Sequence, residues 1–83
     1  MTTPARARIR LAAELAGWDL DRNGLTDAYR KDRRYLSITY DLHDRVRRVL
    51  RQDDTGQWLR LTGRGKADRI MRLLDTRRWT STD

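Results

Sequence analysis

The chain of 83 residues has no cysteine, one histidine, one proline and no phenylalanine. Without cysteine there can be neither disulfide staples nor thiolate metal sites. A single histidine rules out a multi-histidine metal centre. No apolar run exceeds three residues, which predicts neither a membrane span nor a signal peptide. Branched aliphatics are also scarce, so three Trp, three Tyr and seven Ala must supply much of the 37% hydrophobic content. That is enough for one modest core. The expectation is a single domain over 1–83, with frayed termini at 1–3 and 80–83.

The chain is rich in positive charge. Nineteen Lys and Arg against twelve Asp and Glu give a net charge of +7 and a pI near 11. Seventeen of the cations are Arg, and eleven of the acids are Asp. Codon usage in a GC-rich genome would produce the same excess of Arg. Independently of its origin, the planar guanidinium fork suits phosphate and base contacts better than an ammonium does.

The first segment has helix punctuation: Thr3 as a cap, Pro4 at the first helical position and Gly17 after the end. Ala5, Ile9, Ala12, Ala13 and Ala16 share one face, flanked by Leu11 and Leu15, while Arg6, Arg10 and Glu14 form the opposite stripe. From residue 25 the period changes to two. Leu36, Ile38, Tyr40 and Leu42 alternate with Tyr35, Ser37, Thr39 and Asp41, which reads as a strand with one buried side. In the following basic segment Val46 and Leu50 are in phase but Val49 is not, and a bulge near Arg47 and Arg48 would reconcile them. Turns are expected at Lys31-Asp32-Arg33, Leu42-His43-Asp44 and Asp53-Asp54-Thr55-Gly56. Four strands result, at 25–31, 34–41, 45–52 and 57–61. A second helix opens near Gly63 with Thr62 as its cap; Ala67, Ile70, Met71 and Leu74 make its apolar stripe, widened by Leu73, and Arg77-Arg78-Trp79 closes it. The fold class is α+β: an α-β-β-β-β-α unit, an antiparallel meander with two helices on one face.

Four constellations could carry chemistry. Asp19-Leu20-Asp21-Arg22-Asn23-Gly24 matches the opening of a calcium-binding EF-hand loop, but its twelfth position is Arg30 where a bidentate Glu is required. The segment is therefore expected to be a polar loop with an Asn-Gly turn, and no metal or other cofactor is expected. Gly63-Arg64-Gly65-Lys66 opens a helix, where free N–H groups and the dipole favour an anion, with Arg64, Lys66 and Arg69 adding charge. It is not a nucleotide P-loop, because Arg60 stands where its first Gly belongs and Ala67 where its Ser or Thr does. His43 beside Asp44 suggests acid–base work, yet neither Ser37 nor Ser81 sits in a nucleophile setting, so no catalytic residue is assigned. The fourth constellation is the basic strand with Arg45, Arg47, Arg48 and Arg51. If Leu36, Ile38, Leu59 and Leu61 are buried, Tyr35, Trp58, Arg60 and part of Arg47–Arg51 share the outer face, which can stack bases and hold phosphates.

The order helix, antiparallel strands, helix, with a basic entry to the last helix, is similar to double-stranded-RNA-binding domains. That resemblance implies phosphate contacts at Arg64, Lys66 and Arg69, although the Gly-Pro-x-His loop between the first strands of those domains is absent. The run Tyr35-Leu36-Ser37-Ile38-Thr39-Tyr40-Asp41, then Arg45-Val46-Arg47-Arg48, then Trp58-Leu59-Arg60-Leu61-Thr62 and the Lys66-Ala67 helix resembles small uncharacterised accessory proteins of actinobacterial phages. It implies an accessory protein acting on host nucleic acid or on a host protein, and assigns no site residues.

The expected function is non-enzymatic nucleic-acid binding, DNA or RNA, in the cytoplasm, which for a phage protein is that of the host. Its contacts would be Tyr35, Arg47, Arg48, Arg51, Trp58, Arg60, Arg64, Lys66 and Arg69. The alternatives are a modulator that binds a host or host-defence protein, and a small metal-free nuclease. A second copy of the chain is an alternative partner, and a membrane is not expected.

Overall fold

The computed structural model describes residues 4–52 and 55–75. The order is α1 (Ala5–Leu15), β1 (Asp19–Asn23), β2 (Thr26–Lys31), β3 (Arg34–Tyr40), β4 (Val46–Gln52), β5 (Trp58–Leu61) and α2 (Lys66–Leu73). The strands form one antiparallel sheet in the order β1-β2-β3-β4-β5. The architecture is α+β with two helices and a meander, as expected, but the described residues form five strands, not four. Asp19–Asn23 is a strand, not a loop. Its hairpin partner is β2, joined by Gly24-Leu25, with Gly24 at φ +61° in the left-handed region that a tight hairpin turn needs. An extended strand also cannot wrap a cation as an EF-hand loop does.

Alternation along β2 and β3 builds the core. Tyr29 lies opposite Leu36, Asp27 opposite Ile38, and Ile38 opposite Val49, so these side chains share one face. Ile9 and Ala13 of α1, Ile70 of α2 and Leu74 at its C-cap pack on that face, with Trp18 and Tyr40, and all are buried. The bulge falls where the phase break indicated: Thr39 pairs with Arg48 but Tyr40 with Val46, leaving Arg47 as the extra residue. Val46 and Val49 thereby both reach the core side, and Leu50 does not.

The end of α1 closes in a Schellman motif. Gly17 (φ +85°) donates its N–H to Glu14 O and Trp18 donates to Ala13 O. Lys31 Nζ donates to Ala16 O, placing a cation at the helix's negative end. Trp18 Nε1 donates to Leu74 O at 2.9 Å and so ties the α1–β1 junction to the end of α2.

Several expectations about the helices are corrected. Arg6 is buried, not part of a solvent stripe. Its Nε and Nη2 grip Asp27 Oδ2 and Oδ1 at 3.0 and 2.7 Å, Nη2 also donates to Gly24 O, and the guanidinium lies 5.0 Å from the Tyr40 ring centroid. Arg10 turns toward the same carboxylate, at 3.8 Å from Oδ2. The hydrogen bonds that Arg6 donates to Asp27 raise the Arg6 pKa above its ordinary value, against the opposing effect of burial. Leu11 and Leu15 are exposed, and so is Leu59, which was expected to be buried: it is on the helix side of the edge strand. Met71 is half-buried, while Ile70 and Leu74 form the core of α2. The cap of α2 is Gly65, not Thr62. The expected cap Thr3, the turn residues Asp53 and Asp54, and Arg77-Arg78-Trp79 lie outside the described residues. Among the described residues, no helix is long and apolar enough to cross a membrane.

Candidate nucleic-acid interface

Both helices occupy one face of the sheet, so the other face is open. Its residues follow from the register. Asp19, Arg30, Tyr35, Gln52 and Trp58 line up across the five strands, and the next outward row is Asp21, Ala28, Ser37, Leu50 and Arg60. The third is Asn23, Thr26, Thr39 and Arg48, in which the Thr26 and Thr39 hydroxyls meet at 3.1 Å. The open face therefore has an aromatic end, a middle of small side chains, and a cationic end on β4 and β5. Its β1 edge is acidic.

At the aromatic end Tyr35 and Trp58 reach across the intervening Gln52. Their ring centroids are 5.4 Å apart and their planes cross at 77°. Trp58 is 49% exposed, a large apolar surface left in water on a face that neither helix covers. At the other end Arg47, Arg48 and Arg60 surround a depression with Thr39. The bulge makes this cluster. In a regular strand Arg47 and Arg48 would point to opposite faces, whereas here both are exposed and line the same hollow. None of the three pairs with a carboxylate among the described residues. Three unpaired guanidiniums and a hydroxyl suit an anion with several acceptor oxygens.

Arg51, expected on this face, is on the other one: it pairs with Leu36 and Leu59 in the row that faces the helices. The entry to α2 forms a separate hollow at the same end of β4 and β5, lined by Arg45, Arg64, Lys66 and their neighbours. Two of the expected phosphate contacts at this entry bond to the loop that precedes α2. Lys66 Nζ donates to Gly63 O at 2.8 Å and Arg69 Nη1 donates to Thr62 O, so both fasten the loop. Arg64 stays exposed.

His43 is in an exposed turn where Asp41 Oδ1 accepts the backbone N–H groups of His43 and Arg45, at 2.8 and 3.0 Å. The hydrogen bond from Arg45, then that from His43, lowers the Asp41 pKa below its ordinary value. These contacts describe a turn. Sequence reasoning counts Arg30 among the cations crowding the first hairpin but left it out of the expected contacts, although it faces outward beside Tyr35 and is exposed; its alternation with Tyr29 was the available signal. It also missed the acidic edge, since Asp19 and Asp21 were read as loop residues. The chain matches no protein family, no curated protein and no solved structure in comparisons with each.

Proposed function

We propose that the protein binds nucleic acid through the open face of its sheet, as a non-enzymatic accessory factor working in the cytoplasm. The observation that carries this reading is the pairing, on one uncovered face, of an exposed aromatic corner with three unpaired arginines. Aromatic rings attract bases, and guanidiniums attract the phosphates that join them. Net charge of +7 adds long-range attraction to a polyanion. The α2 entry supplies Arg64 at the same end of the sheet, as an accessory contact.

Fluorescence anisotropy with labelled single- and double-stranded DNA and RNA tests this, at low and at physiological salt. Binding at low salt that weakens as salt rises is expected, because each neutralised phosphate releases counterions. Absence of binding to all four at low salt removes the proposal.

A second reading has its own observation. Leu11 and Leu15, one turn apart on α1, are 58% and 79% exposed, as befits a modulator that docks on another protein, in line with the phage resemblance. Such docking would depend little on salt.

A further inference from the structure

We infer that the ligand of the open face is a single strand, held by one unpaired base in the corner between Tyr35 and Trp58 and by backbone phosphate on Arg47, Arg48 and Arg60. This rests on the nucleic-acid reading and narrows it to a substrate class.

The corner comes first. Two rings at 77° cannot both stack on neighbouring parallel bases. One presents its face while the other stands as a wall, so a base stacked on the first abuts the second. A base that is paired and stacked in a duplex offers only its edges in the grooves. To reach a ring face it must leave the stack, and single strands present such bases without that cost.

The spacing agrees. Trp58 and Arg60 are two residues apart on β5, and Arg48 is four residues along β4 from Gln52, the partner of Trp58. At about 3.4 Å per residue, the arginine hollow begins ~7 Å from the corner and ends ~14 Å away. A short stretch of unstacked strand bridges that gap with its base at one end and its phosphate at the other.

Charge across the sheet opposes a duplex. From β5 to β3 the strip is about 10 Å wide, two strand spacings. A second phosphate backbone across a major groove of about 12 Å would fall toward β1, beyond Arg30 of β2, where Asp19 and Asp21 face outward. A single strand stays on the cationic side and avoids them.

The test uses a labelled oligothymidine, with an unlabelled duplex of equal length and inorganic polyphosphate as competitors. The inference expects oligothymidine to bind more tightly than the duplex, and polyphosphate to compete poorly per charge. Trp58→Ala should weaken oligothymidine binding roughly 5- to 150-fold while leaving polyphosphate binding unchanged. Trp58→Phe, which keeps a ring, should recover most of the loss; its circular dichroism and that of Trp58→Ala establish that both fold. Arg60→Ala should weaken both ligands. If duplex binds as well as single strand, or if folded Trp58→Ala loses nothing, the inference fails and salt-dependent nucleic-acid binding stands without it. If no nucleic acid binds at low salt, the underlying reading has failed.

Discussion

Asp27 is fully buried, yet it carries charge at the centre of the helix–sheet contact, bound twice by Arg6 and approached by Arg10. Burying two ions costs several kcal/mol that their attraction only roughly offsets, so the pair is better read as fixing how α1 sits on β2. Removing one partner is another matter. Asp27→Ala leaves two cations facing a buried hole and should cost about 3–5 kcal/mol in a denaturant melt, a large part of a total stability of roughly 5–15. Replacing both, as Arg6→Met with Asp27→Leu, should come near neutral in the same melt. Tyr29 and Tyr40 share this neighbourhood, and their buried hydroxyls bond to no described atom. Burial pushes the pKa of each upward; the nearby charge of Asp27 adds to this at Tyr29, as Tyr29 itself does at Tyr40. A raised folded pKa means that stability is intact below the ordinary tyrosine value near 10 and is lost above it, by about 1.4 kcal/mol per pH unit for each ring. Tyr40→Phe should therefore be neutral or stabilising by about 1 kcal/mol at pH 7, and should move the alkaline unfolding midpoint to higher pH. A Tyr40→Phe variant that unfolds earlier in base would show that its hydroxyl is well partnered.

Among the elements, the bulge in β4 links fold to function. Arg47 is the residue without a register partner between Thr39–Arg48 and Tyr40–Val46. Deleting it would make the ladder regular while keeping Arg48 outward and Val46 inward, so the domain should still fold with its melting temperature changed by only a few degrees. The arginine hollow would lose one cation, and binding should weaken as much as in Arg47→Ala. A deletion that unfolds the protein would mean that the β3–β4 turn needs the extra residue. The bulge was legible because two valines three residues apart cannot share a face of a regular strand, and the core needed both. The strand expected at 34–41 was legible for the complementary reason, one-sided burial written as alternation, although Leu42, the last member of that pattern, lies past the end of β3 and is exposed. β1 was not, because Asp-Leu-Asp-Arg-Asn has almost no strand formers and is exposed along its whole length; backbone pairing with β2 holds it, and side chains do not report that. Arg6 was illegible on its own helix. Its partner lies 21 residues away on a strand, and a cation beside alanines otherwise reads as a solvent face. The same limit hid the fastening of Lys66 and Arg69 by their own loop. Phase alone put Tyr35, Trp58 and Arg60 on the outward side, where the register also has them, and Arg51 was misassigned because the bulge moves the phase of the arginines before it.

At the scale of the whole molecule, charge is distributed by strand: acids on the β1 edge, arginines on β4 and β5, and a second basic hollow at the entry to α2. How much of this a polyanion uses can be read from salt dependence. For a single strand the slope of log K against log salt is about −0.7 for each phosphate neutralised. If Arg47, Arg48 and Arg60 alone engage, the slope should be close to −2, a loss of roughly 20-fold between 50 and 200 mM salt. If Arg45, Arg64 and Lys66 join them, it should approach −4, a loss of roughly 300-fold. The structure favours the smaller value. Lys66 is held by Gly63 O, and Arg45 lies 3.3 Å from Asp41 Oδ2, so two of the three extra cations are engaged before any ligand arrives. The expected result is a slope between −2 and −3 that Arg60→Ala and Arg64→Ala each flatten by up to about 0.7. A slope near −4 that falls by half when Arg45, Arg64 and Lys66 are all changed to alanine would instead place the strand across the end of the sheet, running from the open face onto the first turn of α2.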